Sequence, residues 1–146
     1  MIEVSALQKY ALFGGLSADD ITAIKPYMGG AAYDPGDAII SEGKPNGRIH
    51  FIIDGRVQVT KRNRSLVELG EGEAFGEVEV LDVQPAVATI RAITVARIVY
   101  ISNANLHAIY KADSRIFSML IMNLARELAR RLRRADELLC PEDKPQ

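Results

Sequence analysis

Between Ala31 and Ile101 short apolar runs are broken about every ten residues by turn-forming clusters, and this spacing excludes most folds. Pro35-Gly36-Asp37, Glu42-Gly43, Asp54-Gly55, Asn63-Arg64 and Gly70-Glu71-Gly72 are the breaks. The runs between them are too short for buried helices and fit strands. From Arg56 to Thr60 polar and apolar side chains alternate strictly, which leaves one face wet and one face buried. Asp54-Gly55 stands between two such runs and predicts a tight hairpin, because glycine tolerates the positive φ of a two-residue turn. Ala88 to Ile101 is a second β-rich region, carrying Ile90, Ile93, Val95, Ile98, Val99 and Ile101. Many short strands without long intervening helices predict a sandwich or jelly roll.

Both flanks of this region read as helical. Ser17 is placed to cap a helix whose first turn carries Asp19 and Asp20 and whose apolar residues are Ile21, Ile24 and Met28. Pro26 interrupts that helix near its end, and Gly29-Gly30 is expected to close it. Beyond the β region a short helix is expected from Asn103 to Lys111, then a long one from about Asp113 to Leu139. Phe117, Ile121, Leu124, Leu128, Leu132, Ala135 and Leu139 recur three or four residues apart along it. That stripe is longer than one small barrel can cover, so a parallel pairing with a second copy, a homodimer through Phe117, Ile121, Leu124, Leu128, Leu132 and Ala135, is expected.

The fold class that follows is mainly β with flanking helices, a double-stranded β-helix or jelly roll with N-terminal helices and a long C-terminal helix. One domain is expected over residues 1–140, with the β-roll at about 31–101, the C-terminal helices at about 103–139 and a disordered tail at 141–146. At 146 residues the chain can bury one core but not two comfortable ones.

Several function classes are disfavoured. A net charge of -1 gives no global attraction to nucleic acid or to an anionic membrane. No stretch approaches the roughly 18 apolar residues of a membrane span, and Met1 to Ser5 does not open a signal peptide, so a cytoplasmic location is expected. The lone Cys140 cannot form an internal disulfide. His50 and His107 lie far apart without neighbouring ligands of suitable spacing, so no metal site is expected. No nucleophile–base set or phosphate loop is visible, and no enzyme is expected. Arg126, Arg130, Arg131, Arg133 and Arg134 fall within nine residues of the long helix and read as a solvated flank.

The most specific segment is Phe75 to Ala92, in which Phe75-Gly76-Glu77 is followed by Pro85, Ala86 and Val87. It resembles the phosphate-binding cassette of cyclic-nucleotide-binding domains, a family that includes the effector domains of catabolite-activator-type regulators. The likeness extends along the chain, through Leu12 to Ser17, Tyr33 to Asp37, Glu42-Gly43, Phe51 to Val57, Leu69 to Glu77 and Ile121 to Leu132. The resemblance implies a short helix opening at Gly76-Glu77, with backbone donors from Gly76 and Val78 toward a cyclic phosphate and Glu77 accepting from the ribose 2′-hydroxyl. It also implies cyclic AMP or cyclic GMP as ligand and signalling through the last helix.

Three positions depart from the family pattern. Ala86 stands where the family has the phosphate-pairing arginine, Val87 where it has a small residue, and Glu79 adds a second carboxylate. Losing an arginine–phosphate contact in a partly desolvated pocket costs about 2–5 kcal/mol, so weak or lost binding is expected. Arg91, five positions beyond Ala86, is the nearest following arginine. The expectation is a regulatory or sensor module with a degenerate cassette, with an unidentified protein partner. Two alternatives stand beside it. One is a working receptor for a cyclic nucleotide or other small ligand, contacted by Gly76, Glu77 and Val78 with Ala86-Val87 as a neutral wall. The other is a transcription-regulator-like protein lacking its own DNA-binding domain, since the residues left before Gln146 leave no room for one and direct DNA contact is not expected.

Overall fold

The computed structural model describes residues 3–140, and the expected tail lies outside the described residues. Eight strands form the roll: β1 (Gly29–Tyr33), β2 (Ala38–Ile40), β3 (Arg48–Asp54), β4 (Val57–Lys61), β5 (Arg64–Leu69), β6 (Ala74–Phe75), β7 (Thr89–Ala92) and β8 (Ala96–Ser102). They make two antiparallel sheets of four, in the orders β1-β8-β3-β6 and β2-β7-β4-β5. Before the roll lie α1 (Val4–Gln8), a 3-10 turn at Ala11–Phe13, α2 (Ala18–Ile24) and a second 3-10 turn at Lys25–Tyr27. Between β6 and β7 sits α3 (Glu77–Asp82), and the chain continues as α4 (Asn103–Ala112) and α5 (Ser114–Leu139). The expected jelly roll with helical flanks is present.

The β3–β8 ladder separates two cores. Ile49, Phe51 and Ile53 of β3, with Val99 and Ile101 of β8, face the helices and join Leu7, Phe13, Ile21, Leu106, Ile116, Leu120 and Leu124. Ile52 and Ile98, one residue out of step, face inward against Val57, Leu69, Phe75, Ala86, Ile90 and Ala96. Period-2 alternation with both faces covered explains why the middle of β3 reads as an unbroken buried run.

Two local expectations are corrected. Asp54-Gly55 does not close a hairpin, because β3 and β4 belong to different sheets and share no ladder. Gly55 is instead a corner: its φ is +95°, and a Cβ there would lie 2.3 Å from the Val95 carbonyl oxygen. The tight hairpin joins β4 to β5 through Arg62 and Asn63, both at positive φ. Gly29-Gly30 does not end a helix either; it opens β1, two residues before the expected start of the roll. The helix stops at Ile24, followed by a 3-10 turn holding Pro26, and Gly29 is small because the Tyr100 ring lies 2.3 Å from where its Cβ would stand.

The helix starts follow their caps. Ser17 accepts from Asp20 N–H at 3.1 Å while the Asp20 carboxylate accepts from Ser17 N–H at 3.0 Å, a capping box. Asp113 accepts from the N–H groups of Arg115 and Ile116 at the start of α5. Along α5, Ile116, Leu120, Asn123 and Leu124 are buried, whereas Phe117, Ile121 and Leu128 are only half-buried. Leu132, Ala135 and Leu139 are exposed, so the far half of the expected seam has no cover among the described residues.

Asn123 is the polar residue buried on the inner face of α5. Its amide donates to the carbonyls of Leu12 at 2.8 Å and Gly14 at 3.0 Å, fastening α5 to the first 3-10 turn. Asn123→Ala leaves those carbonyls without a donor and is expected to lower unfolding free energy by about 2 kcal/mol, read from the urea midpoint at unchanged slope.

Candidate functional site

The cassette begins where β6 ends. Gly76 sits at φ +81°, ψ -1°, the left-handed conformation that turns the chain into α3. Space imposes glycine a second time: a Cβ would meet Asn46 Nδ2 at 2.7 Å, the Arg48 carbonyl at 2.8 Å and His50 Cδ2 at 3.0 Å. Val83 closes α3 at φ +55°, strained for a β-branched residue.

Asn46 organises the roll side of the cassette. Its Nδ2 donates to the carbonyls of Gly76 and Arg48, each at 3.0 Å, and its Oδ1 accepts from Arg48 N–H at 3.2 Å. His50 Nε2 lies 3.4 Å from the same Oδ1, which assigns the proton of a neutral ring to Nε2. The ring stacks on Phe75 with centroids 4.8 Å apart and planes 3° from parallel. Burial, and to a lesser degree the Arg48 charge, lower its pKa from 6.5 to about 4.

Glu77 is the first residue of α3 and is 3% exposed. Its Oε1 accepts from Arg131 Nη1 of α5 at 3.1 Å. Arg131 Nη2 donates to Glu127 at 2.8 Å and to the Ala74 carbonyl, while Glu127 accepts from Ala74 N–H at 3.1 Å. Arg131 is therefore not part of a solvated flank; it enters the cassette, whereas Arg126, Arg130, Arg133 and Arg134 are exposed as expected. Glu77 Oε2 and Arg131 Nε are buried without a partner among the described residues. Burial raises the Glu77 pKa; a backbone hydrogen bond and the Arg131 charge oppose that rise, and Glu127 and Glu79 add to it. Glu79 is also buried and its pKa is raised by burial, opposed by a backbone hydrogen bond and by the Asn46 side chain.

The other expected site residues divide. Ala86 lies in the core of the roll, 4% exposed, with its N–H donating to the Lys44 carbonyl at 2.9 Å and its carbonyl accepting from Gly43 N–H at 2.8 Å. Val78 and Val87 are exposed on the surface rather than packed inward. Arg91 does not substitute at Ala86; its guanidinium donates to the Gly36 carbonyl at 3.2 Å. The Arg131–Glu77 contact escaped the sequence reading because 54 positions separate the partners and only α5's docking joins them.

A family model of the cyclic nucleotide-binding domain matches residues 31–113, and the chain belongs to that family. A CRP-like cAMP-activated global transcriptional regulator of Mycobacterium tuberculosis is 28% identical over 91% of this chain and 60% of its own length. The crystal structure of the Thermus thermophilus catabolite activator protein superposes with a TM-score of 0.76 at 28% identity, over 88% of this chain and 61% of that one. A cyclic nucleotide-binding domain from Methylobacillus flagellatus has the same fold, with a TM-score of 0.84 at 21% identity over 99% of this chain and 84% of that one. The chain thus spans about three fifths of the regulators it matches.

Two features of the site can be read through pH. A His50 pKa below its unfolded value gives stability that is full above about 6.5 and lost as pH falls toward about 4. The raised carboxyls of Glu77 and Glu79 act oppositely, favouring the fold as pH falls. His50→Gln isolates the first contribution. Between about pH 7 and pH 5 it is expected to remove about 2 kcal/mol of acid-induced loss relative to the parent, measured by chemical denaturation at each pH.

Proposed function

We propose that this protein is a small cytoplasmic regulatory module without catalysis of its own, whose cassette does not hold cyclic AMP or cyclic GMP tightly. In this reading it signals by moving α5 against the roll. The observation that carries the reading is the Arg131–Glu77 pair together with Ala86. The carboxylate that would hold a ribose hydroxyl is occupied by the chain's own guanidinium. The position that would supply a phosphate-pairing cation is an alanine packed in the core. Glu77 and Glu127 sharing one arginine, with Glu79 close enough to act on Glu77, leave the cassette poorly matched to an anion.

One observation favours the rival, a working receptor. Glu77 Oε2 is a buried acceptor without a donor among the described residues, and a ligand hydroxyl would satisfy it. The relatives named as cAMP-activated or cAMP-binding support that reading by family alone. The same relatives support a third, a transcription-regulator-like role without a DNA-binding module within these residues. Calorimetric titration separates the first two. No saturable heat is expected with cyclic AMP or cyclic GMP up to about 100 μM. Low-micromolar binding that Glu77→Ala abolishes would show a working receptor instead.

The same arginine supplies the link to α5. Arg131→Ala is expected to speed amide exchange in α5 beyond residue 125 by about tenfold or more while the β3–β8 ladder keeps its protection. Unchanged exchange would remove the coupling. The seam supports a homodimer through exposed Leu132 and Ala135 with half-buried Phe117, Ile121 and Leu128, whereas Leu124, expected at the same interface, is taken up by the chain's own core. Sedimentation at tens of micromolar is expected to give a dimer that Leu128→Glu with Leu132→Glu converts to monomer; a monomeric parent would overturn the pairing.

A further inference from the structure

A second cavity lies beside β1, and none of its lining residues belongs to β6 or α3. Its volume is about 430 Å³, within the range of small-molecule sites. The floor is the β1 segment from Gly29 to Ala32, with Leu7, Met28 and Val99 as apolar walls and Lys25 and Arg97 as cationic ones. The hollow exists because four successive β1 residues are glycine or alanine. At Gly30 the space is open: a Cβ would meet only the Ile98 carbonyl, at 3.9 Å.

The charges are the informative part. Among the described residues neither Lys25 nor Arg97 pairs with a carboxylate; other cations share that state, and what sets these two apart is that both line one apolar hollow. They reach the hollow from different elements, Lys25 from the turn before β1 and Arg97 from β8 opposite Ala32. β1 is also an edge strand, paired only with β8, so its alternate N–H groups face away from the sheet. Apolar walls, two uncompensated cations and free backbone donors together suit an apolar body carrying an anionic oxygen group.

We propose that this hollow is a ligand site separate from the cassette, taking a small amphipathic carboxylate whose apolar chain lies along β1 and whose head group meets Lys25 or Arg97. The proposal is independent of whether the cassette binds a nucleotide.

Amide chemical-shift titration of the full chain with decanoate, sebacate and decanol tests it. Saturable shifts centred on residues 29–32 and 97–99 are expected, with the better of the two carboxylates about tenfold or more tighter than decanol. Lys25→Glu with Arg97→Glu is expected to weaken that carboxylate about tenfold while leaving decanol unchanged. Gly30→Leu, which fills the hollow, is expected to abolish all three; both variants are checked for the parent thermal transition. Should Gly30→Leu fail to fold, the charge-reversed protein decides alone, since both of its sites lie outside the buried core. Equal affinity for decanol and the carboxylates, shifts centred elsewhere, or no shift below the micellar concentration would each overturn the proposal.

Discussion

The guanidinium of Arg131 joins three parts of the chain that have little else to hold them together. β6 is two residues long and meets β3 at only two register positions, His50 opposite Phe75 and Phe51 opposite Ala74. A strand that short is weak by itself. α5 reinforces it: Arg131 donates to the Ala74 carbonyl and Glu127 accepts from the Ala74 N–H, so one residue of β6 is bracketed by side chains one helical turn apart. The same guanidinium then reaches Glu77. Burying such a pair costs desolvation that its attraction only partly offsets, so its contribution is to placement more than to net stability. It positions the uncovered half of α5 where apolar packing has ended.

This arrangement changes what the cassette can recognise. A site for a cyclic phosphate needs a cation that is free to meet the anion. Here the loop position that could carry one is Ala86, and its backbone is pinned on both sides to the Gly43–Lys44 turn. The cation present comes from α5 and is already shared among two carboxylates and a carbonyl. An arriving anion would have to recruit Arg131 away from Glu77, leaving a buried carboxylate unpaired.

The roll was legible because its signals are local. Gly-containing turns and the alternation from Arg56 to Thr60 announce short strands, and Ser17 and Asp113 mark helix starts through their own neighbours. The misreadings came where the third dimension intervenes. Asp54-Gly55 carries the chemistry of a hairpin turn, yet the close approach of Val95 makes Gly55 a corner between sheets. Gly29 looked like a helix stop and is a strand residue made small by Tyr100, 71 positions away. The cassette was recognised from Phe75-Gly76-Glu77, but its wiring was not. Asn46 and Arg131 are unremarkable in sequence, and only the packing of the β2–β3 loop and α5 brings them to Gly76 and Glu77.

The two sides of the cassette differ in kind. On the roll side its contacts are neutral: the Asn46 amide, a His50 ring kept uncharged by burial, and the Phe75 stack. On the helix side they are ionic. Neutral, packed contacts respond little to salt or charge, whereas a buried ion pair depends on staying dry. If α5 lifts, Glu77 gains water and loses the burial that raises its pKa, and Arg131 loses Glu77 and the Ala74 carbonyl at once while Glu127 of its own helix moves with it. Intermediate positions are therefore poor, since a half-withdrawn guanidinium satisfies neither water nor protein. A ligand shifts such an equilibrium only by preferring one of the two arrangements. An anion alone gains little where two carboxylates already hold the cation. A hydroxyl donor reaching Glu77 Oε2 would favour the docked helix, and a cationic group would compete with Arg131 and favour the lifted one.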